Sequence, residues 1–461
     1  MTSNTLAGDG PERRAARRET AVRAAVEQGL LSPGEPVVGL LDVTAIRAAA
    51  AALRTAFDEV TAPGTAVLHA FAVKAAALVP VLRLLADEGL GCEVASPGEL
   101  ALARAAGVPP ERIVLDSPAK TTGELREALA ARIAVNADNP EELDRLDALI
   151  APRGDTTPAT PHGPVGLRVN PQVGGGSIDA LSTATATSKF GIALQDPGVR
   201  ERVVRAVAER PWLTRLHAHT GSQGIPLELM TAGVRAVYEL AEEINETVGH
   251  RQIDTLDIGG GLPVNFGSDE FTPGYRDYAQ LLLTTVPGLF DGRYGLVTEF
   301  GRSLLAKSGT VLARVEYAKS AGGRSIAVTH AGAQLATRTV FAPESWPLRI
   351  TAYDAAGRPK PTAPGGLVAQ DIAGPCCFAG DLVARDRPLP HLAAGDLVGL
   401  LDTGAYYFSN HFAYNSLPRP GVYGFTVDGD EVRFATVRPP QTVEEIVTES
   451  GGDHAGSLLE V

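Results

Sequence analysis

Four residues that could do chemistry each lie at the end of a predicted strand: Lys74, His219, Gly259 and Glu299. Lys74 ends the run Val67–Lys74, whose β-branched and aromatic residues predict a buried strand. Apolar surroundings disfavour the charged form of a lysine, and a neutral amine is a nucleophile that can form a Schiff base. The simpler alternative is a lysine that only marks where the strand meets solvent.

A glycine cluster, Asp257-Ile-Gly-Gly-Gly-Leu-Pro263, also follows a predicted strand. Glycine lets backbone N–H groups approach an anion closely, so Gly260 and Gly261 could form part of a nest that binds phosphate. The alternative is a tight turn that needs positive φ angles. The cluster therefore indicates either an anion site or a purely structural turn.

Two polar motifs follow other predicted strands. His219 could stack on a flat heteroaromatic ring and Ser222 could donate to a phosphate, whereas we interpret His217, on the same strand face as His219, as structural. The Glu299 carboxylate could hold a proton on a ring nitrogen. Arg302 could bind a phosphate or carboxylate through two hydrogen bonds, unless it only pairs with Glu299.

Further candidates lie nearer the C-terminus. The loop Gly374-Pro-Cys-Cys-Phe-Ala-Gly-Asp381 presents Cys377, which suits a proton donor or a reactive thiol, with buried structural cysteine as the alternative. The hydroxyl of Tyr406 could bind a phosphate oxygen, whereas we expect Tyr407 to pack in a core.

Strands and helices alternate over about 250 residues, which predicts a (β/α)8 barrel. The predicted strands are Val67–Lys74, Gly91–Ala95, Arg112–Asp116, Ile133–Asn136, Val165–Asn170, Leu213–His219, Asp254–Ile258 and Gly295–Glu299. Reactive groups in such barrels lie at the C-terminal ends of the strands, where the four residues above fall. The alternative, an open doubly wound sheet, would need fewer strands and a Gly-rich turn after the first strand, which is absent.

After Gly309 the pattern changes to short alternating runs separated by Pro and Gly, which predicts a β-rich second domain. The predicted division is an N-terminal extension over residues 1–36, a barrel over 37–309 and a β-rich domain over 310–461. A short strand at residues 37–41 precedes the barrel count and could belong to either domain.

The composition excludes several classes of protein. The net charge of −13 over 461 residues argues against a nucleic-acid partner. No apolar run approaches the roughly 20 residues of a membrane span. The three cysteines form neither a disulfide framework nor a metal-ligand spacing, so we expect no metal and a cytoplasmic location.

The order of these motifs, from about Pro36 to Pro420, resembles the fold-type III pyridoxal-phosphate decarboxylases, which act on diaminopimelate, ornithine or arginine and share the barrel of alanine racemase. Diaminopimelate decarboxylase is the most similar member. The segments that carry this likeness are Thr187-Ser-Lys-Phe-Gly191, His219-Thr-Gly-Ser-Gln223 and Tyr414-Asn-Ser-Leu-Pro-Arg-Pro420.

The resemblance implies a cofactor, pyridoxal 5'-phosphate, and a role for each motif. Lys74 would hold the cofactor covalently, His219 would stack on its ring and Glu299 would keep its pyridine nitrogen protonated. Cys377 would donate the proton that replaces carbon dioxide. The residues expected around the cofactor phosphate are Ser222, Gly260, Gly261, Arg302 and Tyr406. A homodimer follows by the same resemblance, because in this family the cysteine loop enters the partner's active site.

The chain departs from the family where the substrate is recognised. Arg338 is similar in position to an arginine that binds the substrate's distal carboxylate, but the usual proline does not follow it. The acidic residue that reads the distal amino group is replaced by Phe378, and a ring cannot pair with an ammonium. The hypothesis is a small amino-acid substrate with an apolar, neutral or carrier-linked distal end, unless Asp381 substitutes.

Three other functions remain open at this point. A racemase or epimerase on the same scaffold would need a base on each face of the ring. A non-catalytic relative would be expected to lose the lysine or the phosphate-binding residues, which this chain keeps. A barrel enzyme without pyridoxal phosphate would be colourless and could not be reconstituted with the cofactor.

Overall fold

The computed structural model describes residues 9–150, 162–178, 183–361 and 366–461. These residues form two compact units. The first unit contains Arg47–Asn265 and Phe271–Leu304, and the second contains residues 9–46, Phe266–Glu270 and Leu305–Val461. In this part of the chain no helix combines the length and the apolar character needed to cross a membrane.

The helices of the described residues, in chain order, are α1 (Pro11–Glu27), α2 (Val43–Asp58), α3 (Val79–Asp87), α4 (Pro97–Ala105), α5 (Thr122–Ala130), α6 (Pro140–Ile150), α7 (Val199–Ala208), α8 (Leu227–Val248), α9 (Tyr275–Thr285), α10 (Arg302–Leu305), α11 (Ala333–Phe341) and α12 (Val443–Glu449). The strands are β1 (Val37–Asp42), β2 (Val67–Ala72), β3 (Gly91–Val94), β4 (Ile113–Leu115), β5 (Ala134–Ala137), β6 (Val165–Asn170), β7 (Ile192–Ala193), β8 (Leu213–His217), β9 (Thr255–Asp257), β10 (Gly295–Thr298), β11 (Gly309–Ala321), β12 (Arg324–Thr329), β13 (Ile350–Tyr353), β14 (Leu367–Ala373), β15 (Leu382–Pro390), β16 (Leu397–Leu401), β17 (Val422–Asp428) and β18 (Glu431–Arg438).

The first unit is a closed parallel barrel, as the sequence predicts. Within the described residues its strands run in the order β2, β3, β4, β5, β6, β8, β9 and β10, and β10 pairs again with β2. Every residue of β3, β4, β5 and β6 is buried, as expected for strands covered on both faces. The short β7 pairs with β6 outside the ring. The predicted strand positions are confirmed, with ends that differ by at most two residues.

The second unit is built on a mixed sheet in the order β15, β14, β12, β11, β1, β17, β18, with β16 pairing to β11 and β13. The predicted β-rich C-terminal domain is therefore confirmed. β1 lies between β11, its antiparallel neighbour, and β17, its parallel neighbour. Residues 37–46 thus belong to this unit and not to the barrel, whose predicted start at residue 37 differs from the observed one.

The N-terminal helix α1 is part of the second unit. Its small residues Ala21, Val22, Ala24 and Ala25 are buried in a core that they share with β1 and β17. The charged, alanine-rich region of the predicted N-terminal extension therefore has a structural role. Residues 1–8 of that predicted extension lie outside the described residues.

Candidate active site

The lysine predicted to be reactive is paired with a buried carboxylate. Lys74 lies in a single 3-10 turn, Val73–Ala75, directly after β2. Its Nζ is 2.7 Å from Oε2 of Glu93, whose side chain is fully buried in β3. Burial raises the pKa of Glu93 to about 8, although the charge of Lys74 acts in the opposite direction. Glu93 can therefore gain or lose a proton beside the Lys74 amine at a pH near 8.

Glu299 lies just after β10 and is only 1% exposed. Its Oε2 is 3.3 Å from Nδ1 of His219, which itself follows β8. The other oxygen, Oε1, is buried and accepts no hydrogen bond from the described residues. A buried carboxylate oxygen without a donor is unfavourable, so a bound molecule that presents an N–H group would fit this position.

The two loops that follow β8 and β9 meet backbone to backbone. Gly261 has a φ of +89°, and a Cβ built on it would lie 2.0 Å from the carbonyl carbon of Gly221. The side-chain amide of Gln223 joins the loops, because it donates to the carbonyl of Val264 and accepts the N–H of the same residue. This close approach, next to Ser222, leaves a cradle of backbone groups that suits a phosphate.

The loop after β10 packs directly on the turn that carries Lys74. A Cβ built on Gly301 would lie 2.9 Å from the Cβ of Ala75, and a Cβ on Gly260 would lie 2.1 Å from the carbonyl oxygen of Glu299. Arg302 follows at the start of α10 and is almost fully buried. The barrel therefore brings Lys74, the glycine loop and Glu299 to the same end of its strands.

A series of contacting ionisable side chains extends from Glu299 into the interior of the barrel. His217 is fully buried, with Nε2 at 3.4 Å from Oε2 of Glu299 and Nδ1 at 3.5 Å from Oδ1 of Asp116. Asp116 also accepts a hydrogen bond of 3.0 Å from Arg168. His217, interpreted from the sequence as structural, thus contacts the carboxylate expected to carry chemistry. One side-chain atom from each of His217, His219 and Glu299 lies within 4.8 Å of the other two, so these three ionisable groups form one compact cluster.

The two adjacent cysteines have different environments. Cys377 is exposed, and its backbone N–H donates to Oδ1 of Asn415 at 2.8 Å. Cys376 is buried, and its thiol lies 3.7 Å from Oε1 of Gln334. Burial raises the pKa of the Cys376 thiol to about 11. Of the pair, Cys377 is the one whose side chain is exposed, and its role as proton donor stays a prediction.

Asp381 holds the cysteine loop in place. It is 3% exposed, its Oδ1 accepts the N–H of Ala333 at 2.6 Å and its Oδ2 accepts the N–H of Cys376 at 2.7 Å. Both carboxylate oxygens are therefore occupied by backbone groups of the second unit. This geometry does not support the substrate-binding role that the sequence left open for Asp381.

Phe378 belongs to a cluster of four rings on the second unit, which we call the aromatic quartet: Phe341, Phe378, Phe412 and Tyr414. Phe378 stacks on Phe341 with a centroid distance of 5.6 Å and an interplanar angle of 7°. It meets Tyr414 edge to face, also at 5.6 Å, and Tyr414 stacks on Phe412 at 5.4 Å. Phe341 is 60% exposed and Tyr414 is 37% exposed, so the quartet presents an apolar surface beside Cys377.

Arg338 and Tyr406, both predicted from the sequence, are neighbours in the second unit. The guanidinium carbon of Arg338, on α11, lies 4.4 Å from the ring centroid of Tyr406 and 5.3 Å from that of Trp346. Tyr406 has a φ of +68°, which is uncommon for a residue with a side chain. The roles of these two residues in binding substrate and phosphate stay predictions.

Sequence reasoning missed Glu93 and Asp116 as members of the site. The signal was present, because Glu93 interrupts an apolar strand and a charged residue in such a strand needs a partner. What the sequence lacked was the identity of that partner. The parallel register of β2 and β3 supplies it, because Phe71 lies beside Cys92 and Ala72 beside Glu93.

Comparison with known proteins agrees with this geometry. Residues 43–306 match the family described as "Pyridoxal-dependent decarboxylase, pyridoxal binding domain". The chain is 33% identical over 386 residues to diaminopimelate decarboxylase of Zymomonas mobilis, which covers 82% of this chain and 85% of that protein. It is 31% identical over 415 residues to diaminopimelate decarboxylase of Bacillus subtilis, covering 88% and 89% of the two chains.

A solved structure is similar over nearly the whole chain. Diaminopimelate decarboxylase from Helicobacter pylori, complexed with L-lysine, superposes with a TM-score of 0.75 at 25% identity and covers 90% of this chain and 97% of that one. The predicted resemblance is confirmed, and neither the racemase nor the non-catalytic alternative is favoured. The chain therefore belongs to the pyridoxal-dependent decarboxylase family.

Proposed function

We propose that this chain removes carbon dioxide from an α-amino acid whose distal end carries no ammonium group. The observation that carries the proposal is Phe378, which stands where relatives are expected to have a carboxylate. Asp381, the acidic residue three positions further on, is committed to the backbone of the loop. A substrate ammonium at this place would be desolvated without a partner, which costs several kcal/mol.

The residues present fit pyridoxal 5'-phosphate, the cofactor of the family. The buried Oε1 of Glu299 has no donor among the described residues, and the glycine loops approach each other so closely that an added Cβ would collide with backbone atoms, which leaves their backbone N–H groups near a bound phosphate. Lys74 would hold the cofactor, and the groups around its phosphate would be Ser222, Gly260, Gly261, Arg302 and Tyr406. When bound, the cofactor supplies an electron sink for the bond that breaks.

Each side chain then has a specific task. Glu299 would hold a proton on the ring nitrogen, because its carboxylate is ionised and buried beside two histidines. His219, 14% exposed, would cover one face of the ring. Glu93 would take a proton from the Lys74 amine, which lies 2.7 Å away. Cys377 would donate the proton that replaces the lost carboxylate.

The aromatic quartet would recognise the distal end of the substrate. Burial of apolar surface contributes about 25 cal/mol per Å², and ring pairs add about 0.5–1.5 kcal/mol each. A neutral or apolar side chain gains from such a surface. An ammonium would gain only a cation–π attraction of about 0.5–1 kcal/mol at an exposed site, which does not replace a carboxylate partner. A substrate linked to a carrier would also meet this requirement, because the link removes the distal charge.

The exposed position of the cysteine loop fits a homodimer with shared sites, in which the partner's copy of the loop completes each site. An unpaired, exposed Cys377 that works as a proton donor must stay reduced, which fits the cytoplasm. The shared sites of the homodimer and the cytoplasmic location are both proposals that follow from the family resemblance.

The test is to follow decarboxylation of an amino-acid panel by mass spectrometry in heavy water. The panel would contain meso-diaminopimelate, lysine and ornithine, and also phenylalanine, leucine, methionine and glutamine. We expect deuterium to replace carbon dioxide only in amino acids without a distal ammonium. Preferred loss of carbon dioxide from meso-diaminopimelate would contradict the proposal, and exchange of the α-hydrogen without loss of carbon would indicate a racemase.

Phe378→Glu tests the same point within the protein. We expect it to raise kcat/KM for diaminopimelate by about tenfold or more, since a charged pair replaces an unpaired ammonium, and to lower kcat/KM for the apolar substrate. Tyr317→Glu is the matched control, because Tyr317 is also an exposed ring of the second unit, at 66% exposure, but lies outside the quartet. An unchanged preference in Phe378→Glu would overturn the proposed specificity.

A further inference from the structure

We infer that His217 is a positioning residue, a buried cation between Asp116 and Glu299 that keeps the Glu299 carboxylate ionised and turned toward the cofactor ring nitrogen. The inference concerns the cofactor that the family implies and does not depend on which amino acid is the substrate. It also replaces the structural interpretation that the sequence suggested for His217.

The geometry places His217 on the inside of the barrel between two strand ends. It is the last residue of β8 and is fully buried. Its two ring nitrogens lie at ion-pair distance from opposite carboxylates, 3.5 Å from Asp116 and 3.4 Å from Glu299. Neither ring nitrogen makes a hydrogen bond with the described residues, so both contacts are ion-pair contacts. A neutral imidazole has only one N–H group to turn toward the two carboxylates, whereas an imidazolium presents an N–H group and positive charge to both.

The surrounding charges favour the imidazolium. Asp257 is a third carboxyl group that acts on His217, but burial raises the pKa of Asp257 to about 7, so it is only partly charged at neutral pH. Burial lowers the pKa of His217, but these carboxylates outweigh it and raise the pKa well above the ordinary value. Arg168, which donates to Asp116, is the next cation along the chain of contacts. His217 is thus the group that neutralises Glu299 from inside the barrel.

His217 contacts only one of the two carboxylate oxygens of Glu299. Oε2 faces both His217 and His219, at 3.4 and 3.3 Å. Oε1 points away from them and accepts no hydrogen bond from the described residues. Burial alone would raise the pKa of Glu299, but His217 holds it well below the usual range. The carboxylate therefore stays charged, with its second oxygen left for a ring N–H.

The first test uses the protein without cofactor. In protein labelled with 15N-histidine, the ring signals of His217 are expected to show the imidazolium pattern at pH 7, where an ordinary histidine is mostly neutral. His69 is the internal reference, since burial lowers its pKa to about 4 and its Nδ1 lies 2.8 Å from Thr298 Oγ1. A neutral His217 at pH 7 would overturn the inference without any statement about activity.

The second test reads the 15N shift of labelled cofactor in the reconstituted protein. In His217→Gln we expect the ring nitrogen to move from the pyridinium toward the neutral pyridine position. We also expect kcat to fall about 10- to 100-fold. This is the usual effect of losing a residue that orients another side chain in direct contact with the reacting group. His69→Gln is the matched control, because it also removes a buried barrel histidine, and we expect it to leave the ring nitrogen unchanged.

Asp116→Asn provides a variant that keeps the imidazole in place. It removes one of the two anions that hold the proton on His217, so the ring nitrogen is expected to shift in the same direction as in His217→Gln. An unchanged ring-nitrogen signal in either folded variant would show that His217 only fills space. Neither spectroscopic test requires a known substrate. The role inferred for His217 and the proposed substrate specificity can therefore be overturned independently of each other.

Discussion

At the scale of single residues, the pair of Lys74 and Glu93 is the most informative contact of the barrel. A lysine that must act as a nucleophile needs a group to take its proton. Glu93 can do this, because it is fully buried, touches Nζ at 2.7 Å and has a pKa raised by burial to about 8. The same carboxylate is anionic only above that pH, which makes the pairing sensitive to pH.

We expect the rate at which the protein without cofactor binds pyridoxal phosphate covalently to increase as the pH rises through about 8. Below that pH Glu93 is protonated and cannot accept a proton from Lys74, whereas above it the carboxylate can. In Glu93→Gln the inflection is expected to disappear and the rate at pH 8.5 to fall by roughly a hundredfold. Stopped-flow absorbance from pH 6 to 10 measures both effects.

Glu142→Gln is the control for this prediction. Glu142 is also buried and lies 3.1 Å from the ammonium of Lys120, in a second lysine–glutamate pair of the barrel that includes none of the site residues. Its loss is expected to affect stability and not the pH profile of cofactor binding. A Glu93→Gln rate that still rises through pH 8 would show that another group accepts the proton.

At the scale of elements, arginines as well as an apolar face hold α1 against the rest of the second unit. Arg18 of α1 contacts Asp269 at 3.1 Å, and Arg349 donates to the same carboxylate at 2.9 Å and to Asp402. Burial opposes ionisation of Asp269, but the hydrogen bond from Arg349 and the charge of Arg18 hold its pKa well below the usual range. Asp269 therefore joins the helix to the sheet.

Asp269→Asn is expected to lower the free energy of unfolding by about 2 kcal/mol at pH 7, because it leaves Arg18 and Arg349 without their shared partner. A carboxylate with a depressed pKa stabilises the folded state above its unfolded-state pKa of about 4 and loses this effect as the pH falls further. The difference between variant and wild type should therefore shrink below about pH 4. Urea unfolding from pH 3 to 7 measures it.

Glu431→Gln serves as the reference for Asp269→Asn. Glu431 also pairs with an arginine of the second unit, Arg433 at 2.8 Å, but both side chains are exposed. Exposed pairs contribute little to stability, so no measurable change is expected. An equal effect of the two substitutions would mean that Asp269 does not hold α1.

The helices and strands could be predicted from the sequence more completely than the contacts within the site. Alternating apolar strands and helices are local patterns, so the barrel strands were predicted within a few residues. The predicted chemistry at strand ends followed from the direction of parallel strands. Pairing across the barrel is not local, and the contacts of His217 with Asp116 and Glu299 join residues about 80 to 100 positions apart. For the same reason the sequence did not decide where β1 belongs.

At the scale of the whole molecule, the exposed Cys377 loop predicts that two chains share their sites. We expect an equal mixture of Lys74→Ala and Cys377→Ala chains, unfolded and refolded together, to recover roughly a quarter of wild-type activity. Half of randomly formed dimers contain both chains, and each of these carries one intact site of two. Each variant alone should be nearly inactive. Decarboxylation of the preferred substrate and sedimentation of the mixture measure the outcome.

Mixing the two variants without unfolding gives the control, because chains that do not exchange cannot complement each other. Full activity of either variant alone would contradict the assigned role of that residue. A mixture that forms dimers but stays inactive would show that each chain supplies its own cysteine.

The position of β1 between β11 and β17 also has a consequence for synthesis. The ribosome finishes β1 about 380 residues before β17, a delay of roughly 20 to 75 s at 5–20 residues per second. During this time the barrel segment emerges and can close, while the apolar sides of α1 and β1 still lack the neighbours that cover them. The segment from α1 to β1 is therefore synthesised before the barrel but is fully covered only after β17 has emerged, so its apolar sides are exposed to solvent for this interval.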